Sequence, residues 1–319
     1  MPTYQDISRH TTNVILDADL SSEIWANTIE ESAFMRAARR INIPGSGVKV
    51  QTITGEPQAS WVDETNLKPI GFHTFGNKTI TPYKLAIIEP FSQEFLRDKN
   101  ALYAECVRRL PAALGKKFDS TIMGAVAPGS GFDVLGTGVS ATSLLPDATN
   151  GITEYDRFVA VDAAIATNDG ILSNIILAPQ GKSIVLGAKD GDGRPLFTPG
   201  VGSNAIGSIL GADVTVAKGV YKAGSAASGT SGQEGYVAGV PAIVGVAGDF
   251  SDVVWGSVEG VKMAVSDAAT LSYTGANSQT VTINLWQQNM VAVRFEIEVA
   301  FAVRNKGQLM LLTGITPSA

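Results

Sequence analysis

The chain has little of several features that define common protein classes. Its 319 residues include a single cysteine, Cys106, and only two histidines. A lone cysteine excludes an internal disulfide framework and favours synthesis in a reducing cytoplasm. No apolar run approaches the roughly 20 residues that a membrane-spanning helix needs. The start of the chain, MPTYQDISRH, lacks the basic and apolar regions of a secretory signal.

Charge is also scarce, and positive charge most of all. Charged residues make up 17% of the chain, with 24 Lys and Arg against 30 Asp and Glu, and the formal net charge is −6. This balance argues against a protein that binds nucleic acid by neutralising phosphates. Mean hydropathy is +0.14, which is high for a soluble monomer. We therefore expect the surplus apolar surface to contact other chains.

A long hairpin is predicted over residues 45–82. The segments VKVQTITGEP and IGFHTFGNKTITPYKLAII alternate apolar and polar residues as strands do. Between them, QASWVDETNLKP places Trp61 in a polar stretch with no apolar partner nearby in sequence. Because an isolated hairpin is marginal in water, another surface must cover Trp61. The alternative is that Trp61 belongs to the core of its own subunit.

Two helices are predicted before residue 127. Residues 21–43 begin with serines and end with arginines, an order that suits the helix dipole. Residues 89–126 carry an apolar side chain at every fourth position, which indicates a buried stripe. The stripe consists of Cys106, Leu110, Leu114, Phe118 and Ile122. Pro111 should bend or interrupt this helix, and Cys106 is interpreted as a core residue rather than a reactive thiol.

The second half of the chain, after a loop that ends near residue 150, mixes helix and strand. Thr153 and Asp156 have capping-box spacing, IILAP is typical of a buried strand, and PQGKSIVLG of a short helix. Short Val and Ile strands separated by glycines follow in residues 200–260. Alternating apolar residues over 291–303 predict a long strand whose partner comes from elsewhere in the chain.

No catalytic or metal-binding constellation stands out. DGDGRP, residues 190–195, resembles the start of a calcium loop but lacks its later acidic ligand, so we interpret it as a solvated turn. GSGFDVLGTG is not followed by Gly-Lys-Ser/Thr and is therefore not a phosphate loop. His10 and His73 lie far apart, without the partners of a metal or Ser-His-Asp site. We expect no enzyme activity, no cofactor and no metal.

The order of these parts resembles the major capsid proteins of tailed bacteriophages, which have the Hong Kong 97-type fold. ASWVDE resembles the extended loop of that family, and DGDGRPLF, ILGADVTV and VAGDFSDVVWGSVEGV resemble its axial domain. QNMVAVRFEIEVAFAVRNKGQLMLLTG resembles the return to its peripheral domain. The resemblance implies an α+β fold with five parts. They are an N-terminal arm and first helix (1–44), an extended hairpin loop (45–82), a peripheral domain with a long spine helix (83–150), an axial domain (151–262) and a return to the peripheral domain (263–319).

The resemblance implies a structural protein of the virion capsid. Copies would self-assemble as hexamers and pentamers into an icosahedral shell that encloses double-stranded DNA without sequence-specific binding. Assembly would take place in the host bacterial cytoplasm, away from any membrane. A portal protein and decoration proteins are further implied partners. Because no long scaffolding segment precedes the first helix, a scaffold would be a separate protein or absent.

Three other classes remain open. A bacterial encapsulin-type nanocompartment shares the fold but encloses protein cargo, and DNA inside the particles would distinguish a virus from it. A tail or decoration protein would lack the long bent helix. An enzyme would need a convergent polar constellation, and none is found.

Site residues follow from the shell hypothesis. Trp61 is predicted to pack on a neighbouring subunit, so that its core is supplied by another chain. The flanking acids Asp63 and Glu64 are candidates for pairing with basic residues of that neighbour. These basic residues are Arg36, Arg39 and Arg40, among which the sequence does not choose.

A covalent link between subunits is a second hypothesis drawn from the resemblance. Some family members join a hairpin lysine to an asparagine in the terminal β segment of another subunit, with a buried glutamate as the base. Lys68, Asn289 and Glu296 are the corresponding candidates in this chain. Ordinary hydrogen bonding by Asn289 and Glu296 is the alternative.

Overall fold

The structure is a computed structural model that describes residues 28–29, 32–55, 57, 59–64, 66–98, 100–147, 149–189, 194–197, 207–228, 238–274 and 278–315. These residues form a mixed α+β fold, as predicted. The helices are α1 (Ala33–Ala37), α2 (Gln93–Asp98), α3 (Asn100–Ile122), α4 (Glu154–Ala166) and α5 (Pro179–Gly187). The strands are β1 (Arg39–Asn42), β2 (Val48–Gly55), β3 (Thr74–Ile80), β4 (Tyr83–Ser92), β5 (Ser140–Ser143), β6 (Asn174–Leu177), β7 (Ser208–Ile209), β8 (Ala212–Val216), β9 (Ile243–Gly248), β10 (Val253–Ser257), β11 (Lys262–Ser266), β12 (Thr270–Thr274), β13 (Thr280–Asn284), β14 (Met290–Val303) and β15 (Leu309–Thr313).

The long strand β14 organises the first sheet. It pairs antiparallel with β4, β10 and β11, while β1 adds in parallel to β10. Its alternating side chains put Val293, Phe295 and Phe301 in the core, whereas Arg294 on the other face is exposed. The prediction of a long strand over 291–303, with a partner from elsewhere in the chain, is confirmed.

Helix α3 covers the buried face of this sheet. The predicted stripe is confirmed at Leu110, Leu114, Phe118 and Ile122, which are buried in the same apolar cluster as Phe301. The side chain of Cys106 lies outside the described part of the chain. Pro111 does not interrupt the helix, since α3 continues from Asn100 to Ile122.

The helix predicted over residues 89–126 begins later than expected. Glu89–Ser92 belong to β4 and pair with β14 from Met290 to Val293. These four residues therefore form strand hydrogen bonds with a segment some 200 positions away instead of local helical hydrogen bonds. Local periodicity does not report such a distant contact.

The helix predicted over residues 21–43 is also wrong at its C-terminal end. Residues 21–27 lie outside the described ranges. Helix α1 ends at Ala37, and Arg39–Asn42 form β1, which pairs in parallel with Val254–Ser257. The β-branched side chain of Ile43 is buried beside this strand pair, and tertiary pairing overrides the helical pattern.

The second sheet has six strands in the order β5-β15-β9-β6-β8-β7. Helices α4 and α5 pack on it, and the predicted capping box of α4 is confirmed. Thr153 N donates to Asp156 Oδ2 at 2.8 Å, and Asp156 N donates to Thr153 Oγ1 at 3.3 Å. The predicted buried strand at β6 and the short helix α5 are present as well. The solvated turn predicted at residues 190–195 begins in residues outside the described ranges.

The chain passes between the two sheets more than once. Strand β10 lies in the first sheet, β15 lies in the second, and β5 arises within the segment predicted as a loop before residue 150. The five sequence limits assigned to the domains remain a prediction. Among the helices of the described ranges, none is both long and apolar enough to span a membrane.

A hairpin lies within the predicted region, but its second strand is shorter than the predicted segment 70–88, because residues 83–88 belong to β4 and pair with β14. Strands β2 and β3 pair antiparallel from Val48 with Ile80 to Ile53 with Phe75. Both strands form one two-stranded sheet, and the segment 56–73 connects them.

Replacement of Phe301 by alanine should destabilise the subunit strongly. The Phe301 ring is fully buried, and it meets the rings of Phe34, Phe118 and Phe132 at centroid distances of 5.7, 6.3 and 6.2 Å. A cavity there should lower the free energy of unfolding by about 3–5 kcal/mol, measured by urea denaturation of unassembled subunits. The matched change Phe72→Ala, at an exposed ring, should shift it by about 0.5 kcal/mol or less. Equal losses in both variants would contradict this description of the core.

Candidate functional site

The loop between β2 and β3 exposes an unusual amount of apolar surface. Trp61 is fully exposed, and the side chains of Leu67, Ile70 and Phe72 are exposed by 97%, 81% and 79%. Single exposed apolar residues need no explanation, but four within twelve positions mark a contact surface. We call this segment, residues 57–73, the contact loop.

The exposure of Trp61 bears on the two interpretations made from the sequence. The described residues of its own chain leave the indole uncovered, which argues against a place for Trp61 in the core of its own subunit. Asp63, Glu64 and Lys68 are exposed beside it. Burial of Trp61 by a neighbouring subunit stays a prediction.

The base of the hairpin is fixed by charged hydrogen bonds. Lys78 Nζ on β3 lies 2.5 Å from Asp133 Oδ2 and donates to the carbonyl oxygen of Val303 at 2.5 Å. The same carboxylate accepts from the backbone N–H of Val303 at 2.7 Å. Both groups are largely shielded from solvent, so charge-assisted hydrogen bonds of this kind are stronger than exposed ones. The contact loop is thus carried on an anchored stem.

The three basic candidates have different surroundings. Arg36 lies in the last turn of α1, whereas Arg39 and Arg40 lie on β1, and all three are exposed. The Arg40 guanidinium is 5.5 Å from the centre of the Trp255 ring and donates to Ser257 Oγ at 3.2 Å. Arg40 is therefore held against its own sheet. Pairing of any of the three with Asp63 or Glu64 of a neighbour stays a prediction.

The cross-link candidates are not assembled within one chain. Asn289 precedes β14 with a φ of 53°, and its Nδ2 donates to Glu94 Oε1 at 3.0 Å. Glu296 lies further along β14, roughly 20 Å away at the rise of an extended strand, and pairs with Arg294 Nε at 3.2 Å. Glu296 is half-buried rather than buried. A reaction joining Lys68, Asn289 and Glu296 would need more than one subunit.

A buried carboxylate on α3 was missed by the sequence analysis. Asp119 accepts hydrogen bonds from Ser32 Oγ at 2.5 Å, from Ala33 N at 3.0 Å and from Phe34 N at 3.5 Å. These donors form the N-terminus of α1, so a negative charge on α3 faces the positive end of that short helix. We call this group of contacts the Asp119 junction.

Burial raises the pKa of Asp119 from 3.8 to about 6. Removal from water disfavours the charged carboxylate, and this effect exceeds the opposing effect of the hydrogen bonds from Ser32, Ala33 and Phe34. One sequence signal could have found the junction. Ser32 lies directly before the apolar run Ala33-Phe34-Met35, in the position of a helix N-cap, and its Oγ accepts from Met35 N at 3.2 Å.

The described residues bring together no group of three His, Cys, Asp or Glu side chains that could hold a metal ion. The polar clusters among these residues connect elements of the fold by hydrogen bonds.

The sequence matches the phage capsid family over residues 12–314. It is 32% identical over 308 residues to the "Probable major capsid protein gp17" of Mycobacterium phage L5, covering 94% of this chain and 89% of the relative. It is 29% identical over 303 residues to the protein of the same description from Mycobacterium phage D29, covering 94% and 90%.

Solved structures agree with the sequence comparison. A structure from Mycobacterium phage Cain superposes with a TM-score of 0.69 at 20% identity, covering 90% of this chain and 92% of the other. One from Mycobacterium phage Adephagia gives 0.67 at 20% identity, covering 90% and 91%. The fold is thus that of phage capsid proteins, the Hong Kong 97 type. The chain belongs to the phage capsid family, and it is a structural component of the virion shell.

The Asp119 junction makes stability depend on pH. The pKa of Asp119 is about 6 in the folded chain and about 3.8 in the unfolded chain, so the folded chain holds this proton to a higher pH. The folded state therefore binds more protons in this interval, and the free energy of unfolding should fall as pH rises from about 4 to 7, by up to about 3 kcal/mol.

The measurement is urea denaturation of wild type and Asp119→Asn across this pH range. Because the variant lacks this titration, the wild-type advantage over it should be larger at pH 4 than at pH 7. Asp162→Asn, the same change on the exposed side of α4, controls for the loss of one charge. A wild-type advantage that is constant with pH would contradict the raised pKa.

Proposed function

We propose that this chain is the major capsid protein of a tailed bacteriophage. Copies assemble as hexamers and pentamers into an icosahedral shell that encloses double-stranded DNA. The observation that carries the proposal is similarity over almost the whole chain to two mycobacteriophage proteins described as major capsid proteins, at 32% and 29% identity. A shared fold alone would not distinguish a shell from another use of the same scaffold.

The contact loop supports self-assembly on physical grounds. Its four exposed apolar side chains include an indole, and removal of such a group from water contributes strongly to binding. The loop stands on a stem fixed by Lys78 and Asp133, so it is presented to a partner at little cost in ordering. A second copy of this chain is the proposed partner.

Charged residues around Trp61 are proposed to orient that contact. Asp63 and Glu64 would pair with Arg36 or Arg39 of the neighbour, which are exposed and carried on separate elements. Arg40 is the weaker candidate, since Ser257 and the Trp255 ring already hold it. Exposed pairs of this type contribute about 1 kcal/mol or less each, so they set orientation more than affinity.

The remaining parts of the proposal concern other components. A portal, a separate scaffold and decoration proteins are proposed partners, and assembly is proposed to take place in the bacterial cytoplasm. The chain is proposed to have no enzymatic activity. The shell is proposed to enclose DNA without recognising its sequence.

A covalent link between Lys68 and Asn289 of different subunits is retained as a hypothesis. The lysine amine would attack the carboxamide carbon, and a glutamate such as Glu296 would take the amine proton and return it to the carboxamide nitrogen, which would leave as ammonia. Denaturing gels of mature particles test it, with Lys68→Arg as the control. A ladder of multiples that is lost in Lys68→Arg would support the link. A single band near the chain mass of 33.3 kDa would exclude it.

Electron microscopy of the expressed chain tests the main proposal. Closed icosahedral shells should form, and particles from infected cells should hold DNA that resists nuclease. Shells that contain protein and no DNA would instead favour an encapsulin-type compartment. A monodisperse monomer at micromolar concentration, with and without the scaffold of its phage, would contradict both.

Trp61→Ala should impair shell formation while leaving the subunit folded. The indole is fully exposed in the subunit, so its truncation creates no cavity there, whereas interface tryptophans often cost about 2 kcal/mol or more when truncated. Thermal melting by circular dichroism should match wild type, and particle yield should fall. Trp61→Phe keeps an aromatic ring and should recover part of the yield. Wild-type particle yield in Trp61→Ala would remove the indole from the assembly contact.

A further inference from the structure

The turn between β7 and β8 holds a leucine in a backbone conformation that leucine rarely adopts. Ile209 pairs with Ala212, so Leu210 and Gly211 form a two-residue hairpin loop. Both have a positive φ, of 50° and 83°. Two successive positive φ values are typical of a type I′ turn. We call residues 209–212 the Leu210 turn.

Local sequence preference does not explain a leucine in this turn. Type I′ turns favour Asn-Gly, Asp-Gly or Gly-Gly, because the left-handed region brings Cβ close to the following carbonyl oxygen. Among the described residues, the other non-glycine positions with positive φ are Asp169, Ser278 and Asn289, which are all polar. A bulky apolar residue in this region stores strain, and such strain is typical of side chains that serve a function.

Packing within the subunit does not explain the leucine either. Ile209 and Ala212 on either side are buried in the apolar cluster under the second sheet and hold the hairpin there. Leu210 itself is 40% exposed. A Cβ added to Gly211 would meet no atom within 4 Å, so the tip of the turn opens to solvent. The strained residue therefore presents its side chain outward.

A second exposed apolar side chain lies at the same end of the second sheet. Asn174 of β6 pairs in parallel with Asp213 of β8, and Ile171 and Leu210 each precede these residues by three positions. The Ile171 side chain is 77% exposed. Its backbone N–H donates to Asp249 Oδ2 at 3.2 Å, which fixes its position. This end of the sheet thus exposes two branched apolar side chains.

Charge indicates the kind of partner that fits this surface. Residues 195–212 contain no charged side chain, and depletion of charge is typical of the core of a protein interface. The acids at this end of the sheet, Asp169, Asp213 and Asp249, would repel the phosphates of DNA. They would also repel their own counterparts in a symmetric contact. A head-to-tail contact, in which one copy meets a different surface of the next, keeps them apart and closes into rings.

We propose that the Leu210 turn is an assembly contact, in which Leu210 and Ile171 of one copy pack on a different surface of the next copy in a hexamer or pentamer. The inference rests on the proposed function, which brings copies together in such rings. The Leu210 side chain stabilises the ring, while its backbone conformation destabilises the isolated subunit. This contact lies on the second sheet and is separate from the contact loop.

Two substitutions separate the backbone strain from the side-chain contact. Leu210→Asn suits the turn and removes the apolar group, whereas Leu210→Ala removes the apolar group and keeps a residue that disfavours positive φ. Leu196→Asn is the matched control, since Leu196 is also 40% exposed and its φ is not positive. Thermal melting of unassembled subunits by circular dichroism measures stability. Sedimentation of the full chain, expressed alone, measures assembly.

Leu210→Asn should change the two properties in opposite directions. Its Tm should rise by about 1–3 °C because the turn loses strain, whereas the subunit concentration needed for assembly should increase about threefold or more. Leu210→Ala should show the assembly defect without the gain in Tm, and Leu196→Asn should show no gain in Tm. A Leu210→Asn variant with no gain in Tm, or with wild-type assembly, would overturn the proposal. An equal gain in Leu196→Asn would also overturn it.

Electron microscopy of the same preparations separates this inference from the proposed function. Wild-type shells together with normal assembly of Leu210→Asn would leave the function standing and remove this contact. Rings that depend on Leu210 but never close into shells would support the contact and contradict the function. A wild-type chain that stays monomeric, with and without the scaffold of its phage, would overturn both. An assembly defect seen only when other phage proteins are present would overturn the second copy as the partner.

Discussion

The packing of α3 against the buried face of β14 is the contact on which the rest of the structure depends. Phe301 from the strand and Phe118 from the helix meet in one aromatic cluster with Phe34 and Phe132. Strand β14 also provides the hydrogen-bonding edges for β4, β10 and β11. Loss of this contact would therefore remove both the core and the strand that the first sheet is built on.

The Asp119 junction fixes the position of α1 beside that apolar contact. A buried charge is costly unless it is hydrogen-bonded, and here Ser32 and the backbone of α1 supply the donors. Trp255 Nε1 donates to the carbonyl oxygen of Met35 at 3.0 Å and fixes the other end of the same helix. The short α1 thus has one position between α3 and the sheet.

Sequence periodicity predicted the parts of the fold whose cause is local. The stripe of α3, the alternation in β14, the hairpin and the Thr153–Asp156 capping box all follow from residue spacing. Strand β1 could not be predicted this way, because its partner Val254–Ser257 lies more than 200 positions away and its arginines also suit a helix end. The same limit applies to sites. Trp61 stands out within its own segment, whereas the Asp119 junction joins residues that are distant in sequence.

A shell subunit must fold by itself and still present a surface to its neighbours. In the hairpin, the base serves the first purpose and the tip serves the second. At its base, Lys78, Asp133 and the backbone of Val303 satisfy one another within the chain. At its tip, Trp61 and Leu67 have no such partners among the described residues and remain exposed. The interactions that fold the hairpin and the surface that it presents involve different residues. A substitution at the tip should therefore change assembly alone, whereas one at the base should change subunit stability and, through it, assembly.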